Sequence, residues 1–232
     1  MTPLPPARHL IPEFLGTFFL VFAGTGAIIV DHTSGGRMGH VGVSLVFGLV
    51  VFAMIRTFRD TGGTHFNPAV TIGLAVAGRF RWSLVAPCIA VQLAGAFAAS
   101  GMLRVLFPDS PTLGETVPAS GIGQAFVLEA MITAALVFVI LSVPTDEKEN
   151  GITSDLAIGA TVAVAALFAG PVTGASMNPA RSLAPALVGG HLLHLWLYPA
   201  ATLCGAVLAV PLCATLRREG CCGRGISSPP AP

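Results

Sequence analysis

The sequence predicts an all-α membrane protein of six transmembrane helices and two re-entrant half-helices, arranged as an inverted repeat. Three observations lead there. The 232-residue chain is 53% hydrophobic and only 10% charged, where a soluble domain carries about 25% charged residues. Its apolar runs are continuous and not alternating, which favours helices over a closed barrel, and only those two architectures satisfy the backbone in lipid. Finally, Asn-Pro-Ala occurs twice, at Asn67-Pro68-Ala69 and Asn178-Pro179-Ala180, each time opening an apolar run too short to cross a bilayer. One such tripeptide is only a helix start, with Asn as the cap and Pro at the first helical position. Two copies in corresponding halves point to interrupted segments that meet at the midplane.

Taken in order, residues 1–9 form a Pro-rich polar start. The first span is expected over Leu10–Val30, interrupted only by Glu13, and the second over Val41–Ile55. Arg56, Arg59 and Asp60 mark an exit from the membrane. The chain then re-enters through Thr64-His65-Phe66 into a half-helix over residues 67–77, about 16 Å long against a hydrocarbon core of about 30 Å. Arg79 and Arg81 return it to the surface, and Ser83–Leu103 is the third span. After a loop over 104–120, the fourth span covers Gly121–Val143 and holds a single carboxylate, Glu129. A hydrophilic linker, Thr145–Asn150, leads to the fifth span, Leu156–Gly170, which Pro171 is expected to close. The second half-helix runs to about Val188, and Leu192–Leu216 is the sixth span. The tail, 217–232, is basic and then Gly/Ser/Pro-rich, a composition that reads as disordered.

The halves repeat at nearly constant offset. Asn67 pairs with Asn178, Gly48 with Gly159 and Gly63 with Gly174, each 111 residues apart. Glu13-x-x-x-Thr17 pairs with Glu129-x-x-x-Thr133, and Gly95 with Gly205. Each half has three spans, so the second enters the membrane upside down, and the half-helices come from opposite faces. The repeats cover roughly 10–106 and 121–216, and the chain reads as one transmembrane domain, 1–232. Gly16, Gly24, Gly48, Gly95, Gly159 and Gly205 are candidates for close helix contacts. Of twelve Lys and Arg, nine (Arg8, Arg56, Arg59, Arg79, Arg81, Lys148, Arg217, Arg218 and Arg224) fall on the side that bears the termini. The positive-inside rule therefore places both termini in the cytoplasm of a multi-pass cell-membrane protein. Arg outnumbers Lys eleven to one, which points to a GC-rich genome and a bacterial inner membrane.

His65-Phe66-Asn67-Pro68-Ala69-Val70-Thr71, Asn178-Pro179-Ala180-Arg181-Ser182 and the paired glutamates resemble the aquaporin (major intrinsic protein) superfamily over residues 10–216. The segment Phe168–Met177 looks like the nodulin-like intrinsic proteins of plants and their bacterial relatives. The resemblance implies an aquaporin-like fold around one pore per protomer, assembled as a homotetramer. It implies that Asn67 and Asn178 direct amide N–H groups at passing water. The positive ends of the two half-helices would then repel hydronium and other cations.

The resemblance also places a selectivity constriction at Phe47, Ala166, Ala175 and Arg181. Water-selective relatives combine Phe, His, a small residue and Arg; here the His is Ala166. Glycerol-conducting relatives combine Trp, Gly, Phe and Arg, followed by Asp; here the second aromatic is Ala175 and the Asp is Ser182. Losing the imidazole widens the filter, so water plus small uncharged solutes of the glycerol, urea, arsenous acid or boric acid class are expected. The alternative is a water-selective aquaporin. Arg181 faces Val70 across the repeat, so symmetry does not demand a base there, and a charge inside an apolar region is usually functional. Its other reading is a snorkelling surface side chain.

Glu13 and Glu129 admit two readings. In a proton-coupled secondary transporter they would be coupling sites. In a channel they would accept backbone N–H groups of the re-entrant loops, which need buried partners at membrane depth. His65 is a loop-packing or pore-lining residue. Cys88, Cys204, Cys213, Cys221 and Cys222 show no disulfide or metal-ligand spacing. No nucleophile–base pair argues for an enzyme, no cofactor is implied, and a net charge of +1 implies no nucleic-acid partner.

Overall fold

The computed structural model describes residues 6–119, 121–143 and 151–216. The expected linker and C-terminal tail lie outside the described residues. The elements are α1 (Pro6–Thr33), α2 (Gly39–Phe58), a 3-10 turn (Arg59–Thr61), α3 (Pro68–Val76), α4 (Trp82–Leu106), α5 (Ile122–Ser142), α6 (Gly151–Thr173), α7 (Pro179–Gly189) and α8 (Leu197–Leu216). Six of these helices are long and apolar enough to cross a membrane. The order long, long, short, long occurs twice, as the inverted repeat requires.

Several expected boundaries move by a few residues, and two of the shifts show their cause. Pro171 does not close the fifth span, because α6 continues through it to Thr173. Proline at 171 cannot donate to the carbonyl four residues back; that carbonyl, Leu167 O, instead accepts His40 Nε2 from α2 at 2.7 Å. The sixth helix begins at Leu197, not Leu192. Residues 192–196 are apolar but form turns, with His194 at φ 62°.

Glycines set how closely the long helices approach. A Cβ at Gly95 on α4 would lie 2.3 Å from Phe14 O on α1. Its repeat partner Gly205 on α8 would put a Cβ 2.1 Å from Ala130 O on α5. Between the halves the contact is reciprocal. A Cβ on Gly48 of α2 would meet Gly159 O of α6 at 2.6 Å, and one on Gly159 would meet Gly48 O at 2.7 Å. Such backbone-to-backbone contact is how helices associate where lipid removes the hydrophobic driving force. Large apolar side chains such as Leu49, Val105 and Val164 cover the outside. Cys88 and Cys204 are free thiols.

Candidate pore

Both Asn-Pro-Ala stretches fold as capped helix starts buried in the core. Asn67 is extended (φ −159°) and its Oδ1 accepts Ala69 N at 2.9 Å, with Pro68 in the first turn of α3. Asn178 does the same for α7, accepting Ala180 N at 3.0 Å and Arg181 N at 3.4 Å. The second half of each amide ties the two loops together. Asn67 Nδ2 donates to Met177 O at 2.7 Å, and Asn178 Nδ2 donates to Phe66 O at 2.8 Å. Each amide has two N–H groups, so one remains for the cavity that both asparagines line. The carbonyls reach across because Phe66 and Met177 both adopt φ 52°, a left-handed conformation that costs a non-glycine residue roughly 1–3 kcal/mol and persists only when its surroundings hold it.

The two buried glutamates supply that hold. Glu13 accepts His65 N at 2.7 Å through Oε1, and Phe66 N and Gln92 Nε2, both at 2.8 Å, through Oε2. Glu129 accepts Ser176 N at 2.8 Å and Thr173 Oγ1 at 2.7 Å through Oε1, and Met177 N at 3.0 Å through Oε2. Each carboxylate therefore faces the backbone of its own re-entrant loop. The His65 ring is packed edge-on against Phe80 and lies 3.1 Å from Thr71 Oγ1 by its Nδ1, while also lining the cavity.

Two cavities run end to end along the helix bundle. The longer, about 380 Å³, extends from Arg59, Arg79 and Asp155 past both asparagines. The other, about 350 Å³, is a vestibule bordered by Asp31, His40 and Glu115. They share four lining residues: Phe47, Ala166, Ala175 and Arg181. These form the collar between them. Arg181 is 1% exposed, which excludes the snorkelling reading. Its Nη1 donates to Gly114 O at 2.7 Å and its Cζ sits 5.0 Å from the centre of the Phe47 ring. Its Nε and Nη2 have no partner among the described residues. Two buried donors in a collar otherwise made of a phenyl ring and two methyl groups would be costly unless something passing through used them.

A family model for major intrinsic protein matches residues 2–212. The chain belongs to the major intrinsic protein, or aquaporin, family. Aquaporin NIP1-2 of Oryza sativa subsp. japonica is 47% identical over 208 residues, covering 85% of this chain and 69% of that relative. Aquaporin NIP3-1 of Arabidopsis thaliana is 44% identical, covering 86% of this chain and 64% of that relative. Among solved structures, the aquaglyceroporin from Plasmodium falciparum has a TM-score of 0.76 at 28% identity, covering 88% of this chain and 94% of that one. Major intrinsic proteins are channels and not enzymes, and the continuous path described here has a channel's form.

Several contacts around this aquaporin's path carry no signal in the sequence. Gly114 holds Arg181 through a carbonyl. Its neighbour Glu115 fastens the loop, accepting Leu113 N at 2.9 Å and lying 3.1 Å from His191 Nδ1. Ser182, where glycerol-conducting relatives have Asp, is buried between Thr116 Oγ1 at 2.7 Å and Ser176 Oγ at 2.6 Å. Ser176 Oγ in turn donates to Asn178 O at 2.9 Å. At the Arg-rich end, Arg59 bonds both oxygens of the buried Asp155 and donates to Gly151 O at 2.7 Å, which pins α2 to α6 beside the mouth.

Proposed function

We propose that the chain is a passive channel for water and small uncharged solutes, of the glycerol, urea, arsenous acid or boric acid class, that excludes protons and ions. The observation that carries this reading is the collar. One face, Phe47, Ala166 and Ala175, is apolar, and beside the Phe47 ring it offers only two methyl groups. The other presents two unpartnered donors of Arg181. A hydroxylated neutral solute satisfies those donors while its carbon or metalloid skeleton slides on the apolar face. A cation meets the guanidinium charge at the collar and then the positive ends of α3 and α7. The asparagine N–H groups reorient each passing water, which breaks the proton wire.

Glu13 and Glu129 act as loop supports in this reading. Each carboxylate accepts three hydrogen bonds, two of them from backbone N–H groups of its own re-entrant loop, which assigns both to holding the loops. The wider solute range is favoured over water alone because Ala166 leaves the collar without an imidazole. We place the termini on the cytoplasmic side by the charge count and expect a homotetramer in the cell membrane, with one pore per protomer. Stopped-flow measurement of water, glycerol, urea and arsenite entry into proteoliposomes tests the reading. Water and at least one larger solute should enter faster than into protein-free vesicles, with no accompanying proton current. Entry of water alone would reduce the protein to a water channel, and uptake against a gradient would make it a transporter.

A further inference from the structure

We infer a binding site for a borderline-soft divalent metal ion of the zinc class, formed by Glu13, His65 and Cys88 beside the inner half of the path. The three come from α1, the first re-entrant loop and α4, so no spacing in the sequence reveals them. A carboxylate oxygen, an imidazole nitrogen and a thiol sulfur lie within 4.8 Å of one another. Glu13 Oε1 is 3.9 Å from His65 Nδ1. Ligand atoms around a tetrahedral zinc stand roughly 3.3–3.7 Å apart, given metal–ligand bonds of about 2.0–2.3 Å. Side-chain rotations of under about an ångström would close the set.

Two further observations point to an occupant. A separate cavity of about 80 Å³ is bordered by Glu13 and Cys88, with Gly62, Gly63 and Phe80 around it. Gln92, wholly buried, places its Nε2 2.8 Å from Glu13 Oε2 and 3.4 Å from Cys88 Sγ. Its Oε1 has no partner among the described residues. Charge balance also favours a dication. On binding, the Cys88 thiol releases its proton to water, and the resulting thiolate and the Glu13 carboxylate offset the two positive charges, with His65 neutral. A neutral assembly is what a buried site in lipid tolerates.

Occupation would reach the pore. Glu13 Oε1 is also the acceptor for His65 N, and the His65 ring lines the longer cavity. Metal binding would therefore draw on the same carboxylate that seats the first Asn-Pro-Ala loop.

The test uses the full-length protein in detergent and in proteoliposomes, with Cd²⁺ as spectroscopic probe and Zn²⁺ as effector. Titration with Cd²⁺ should give a thiolate-to-metal charge-transfer band larger in the wild type than in Cys88→Ser by one equivalent per protomer. His65→Ala should weaken that equivalent at least tenfold. Zn²⁺ should slow water entry at least twofold, reversibly with a chelator, in the wild type and not in Cys88→Ser. Identical Cd²⁺ titrations of wild type and Cys88→Ser overturn the site. Binding that needs Cys88 but is unchanged in His65→Ala reduces it to a simple thiol adduct and overturns the three-ligand assignment. The binding measurement does not depend on which solute the channel conducts, so its failure is separable from failure of the channel reading.

Discussion

Replacing Arg181 separates its charge from its hydrogen bonds. In the collar, the guanidinium stands 5.0 Å from the Phe47 ring centre, so a passing cation cannot stay much farther than a side chain's width away. At about 5 Å and an effective dielectric constant of about 20, repulsion between unit charges is about 3 kcal/mol, roughly a two-hundred-fold penalty. The half-helix ends, each worth about half a charge, would remain. Arg181→Met should therefore raise monovalent-cation permeability by about two orders of magnitude, still far below the flux of neutral solutes. Arg181→Lys keeps the charge and loses the planar array of donors, so it should preserve cation exclusion while slowing glycerol relative to water. The assay is electrical and osmotic on the same proteoliposomes, with methylammonium current alongside stopped-flow solute entry. Either variant frees Gly114 O, so protein content and melting temperature must be matched first. Cation exclusion unchanged in a well-folded Arg181→Met would place the barrier at the half-helices alone and refute the argument.

Three other substitutions probe the remaining parts. Ala166→His narrows the collar, so glycerol entry should fall severalfold while water entry persists; equal loss of both would sink the size argument. Asn178→Ala removes the bond to Phe66 O and the cap on Ala180 N, so water entry should fall at normal membrane abundance, and wild-type flux would show that the amide is only a cap. Glu129→Ala leaves Ser176 N, Met177 N and Thr173 Oγ1 buried without their acceptor. At about 1–3 kcal/mol each, the loss approaches the whole stability of a typical domain, about 5–15 kcal/mol. Little folded protein should survive size-exclusion chromatography, and a wild-type melting temperature would contradict the support role.

What the sequence reveals here is what is written twice or costs too much to be incidental. The two Asn-Pro-Ala stretches, the two glutamates and the glycine pairs Gly48/Gly159 and Gly95/Gly205 are visible because repetition in the same order at nearly constant offset is improbable by chance. Arg181 is visible because a base in an apolar stretch needs a reason. Contacts made by main-chain atoms are invisible. Gly114 acts through a carbonyl, and Phe66 and Met177 adopt positive φ without a glycine to mark it. Pro171 misleads, because the helix-breaking rule assumes that the orphaned carbonyl finds no partner, and His40 supplies one from 127 residues away. Asp155, one residue before the expected fifth span, is fully buried and bonded by Arg59, a pairing across 96 residues that no local pattern marks.

The repeat itself explains why there is one filter and not two. Applying the offset of 111 residues to Phe47, Ala166, Ala175 and Arg181 gives Ile158, Ile55, Thr64 and Val70. All four line the longer cavity. The inner counterpart of the collar is thus a ring of three aliphatic side chains and one threonine. It has no charge to repel a cation and no buried cationic donor to hold a hydroxyl, so a solute that clears the collar meets nothing there that binds it strongly. On the proposed function, selection sits at one end, through substitutions within an otherwise symmetric frame. A passive path through such a frame still has no preferred direction, because at equilibrium the barrier at the collar is the same energy approached from either side. An asymmetric filter therefore sets which solutes cross and how fast, while the gradient alone sets which way they go.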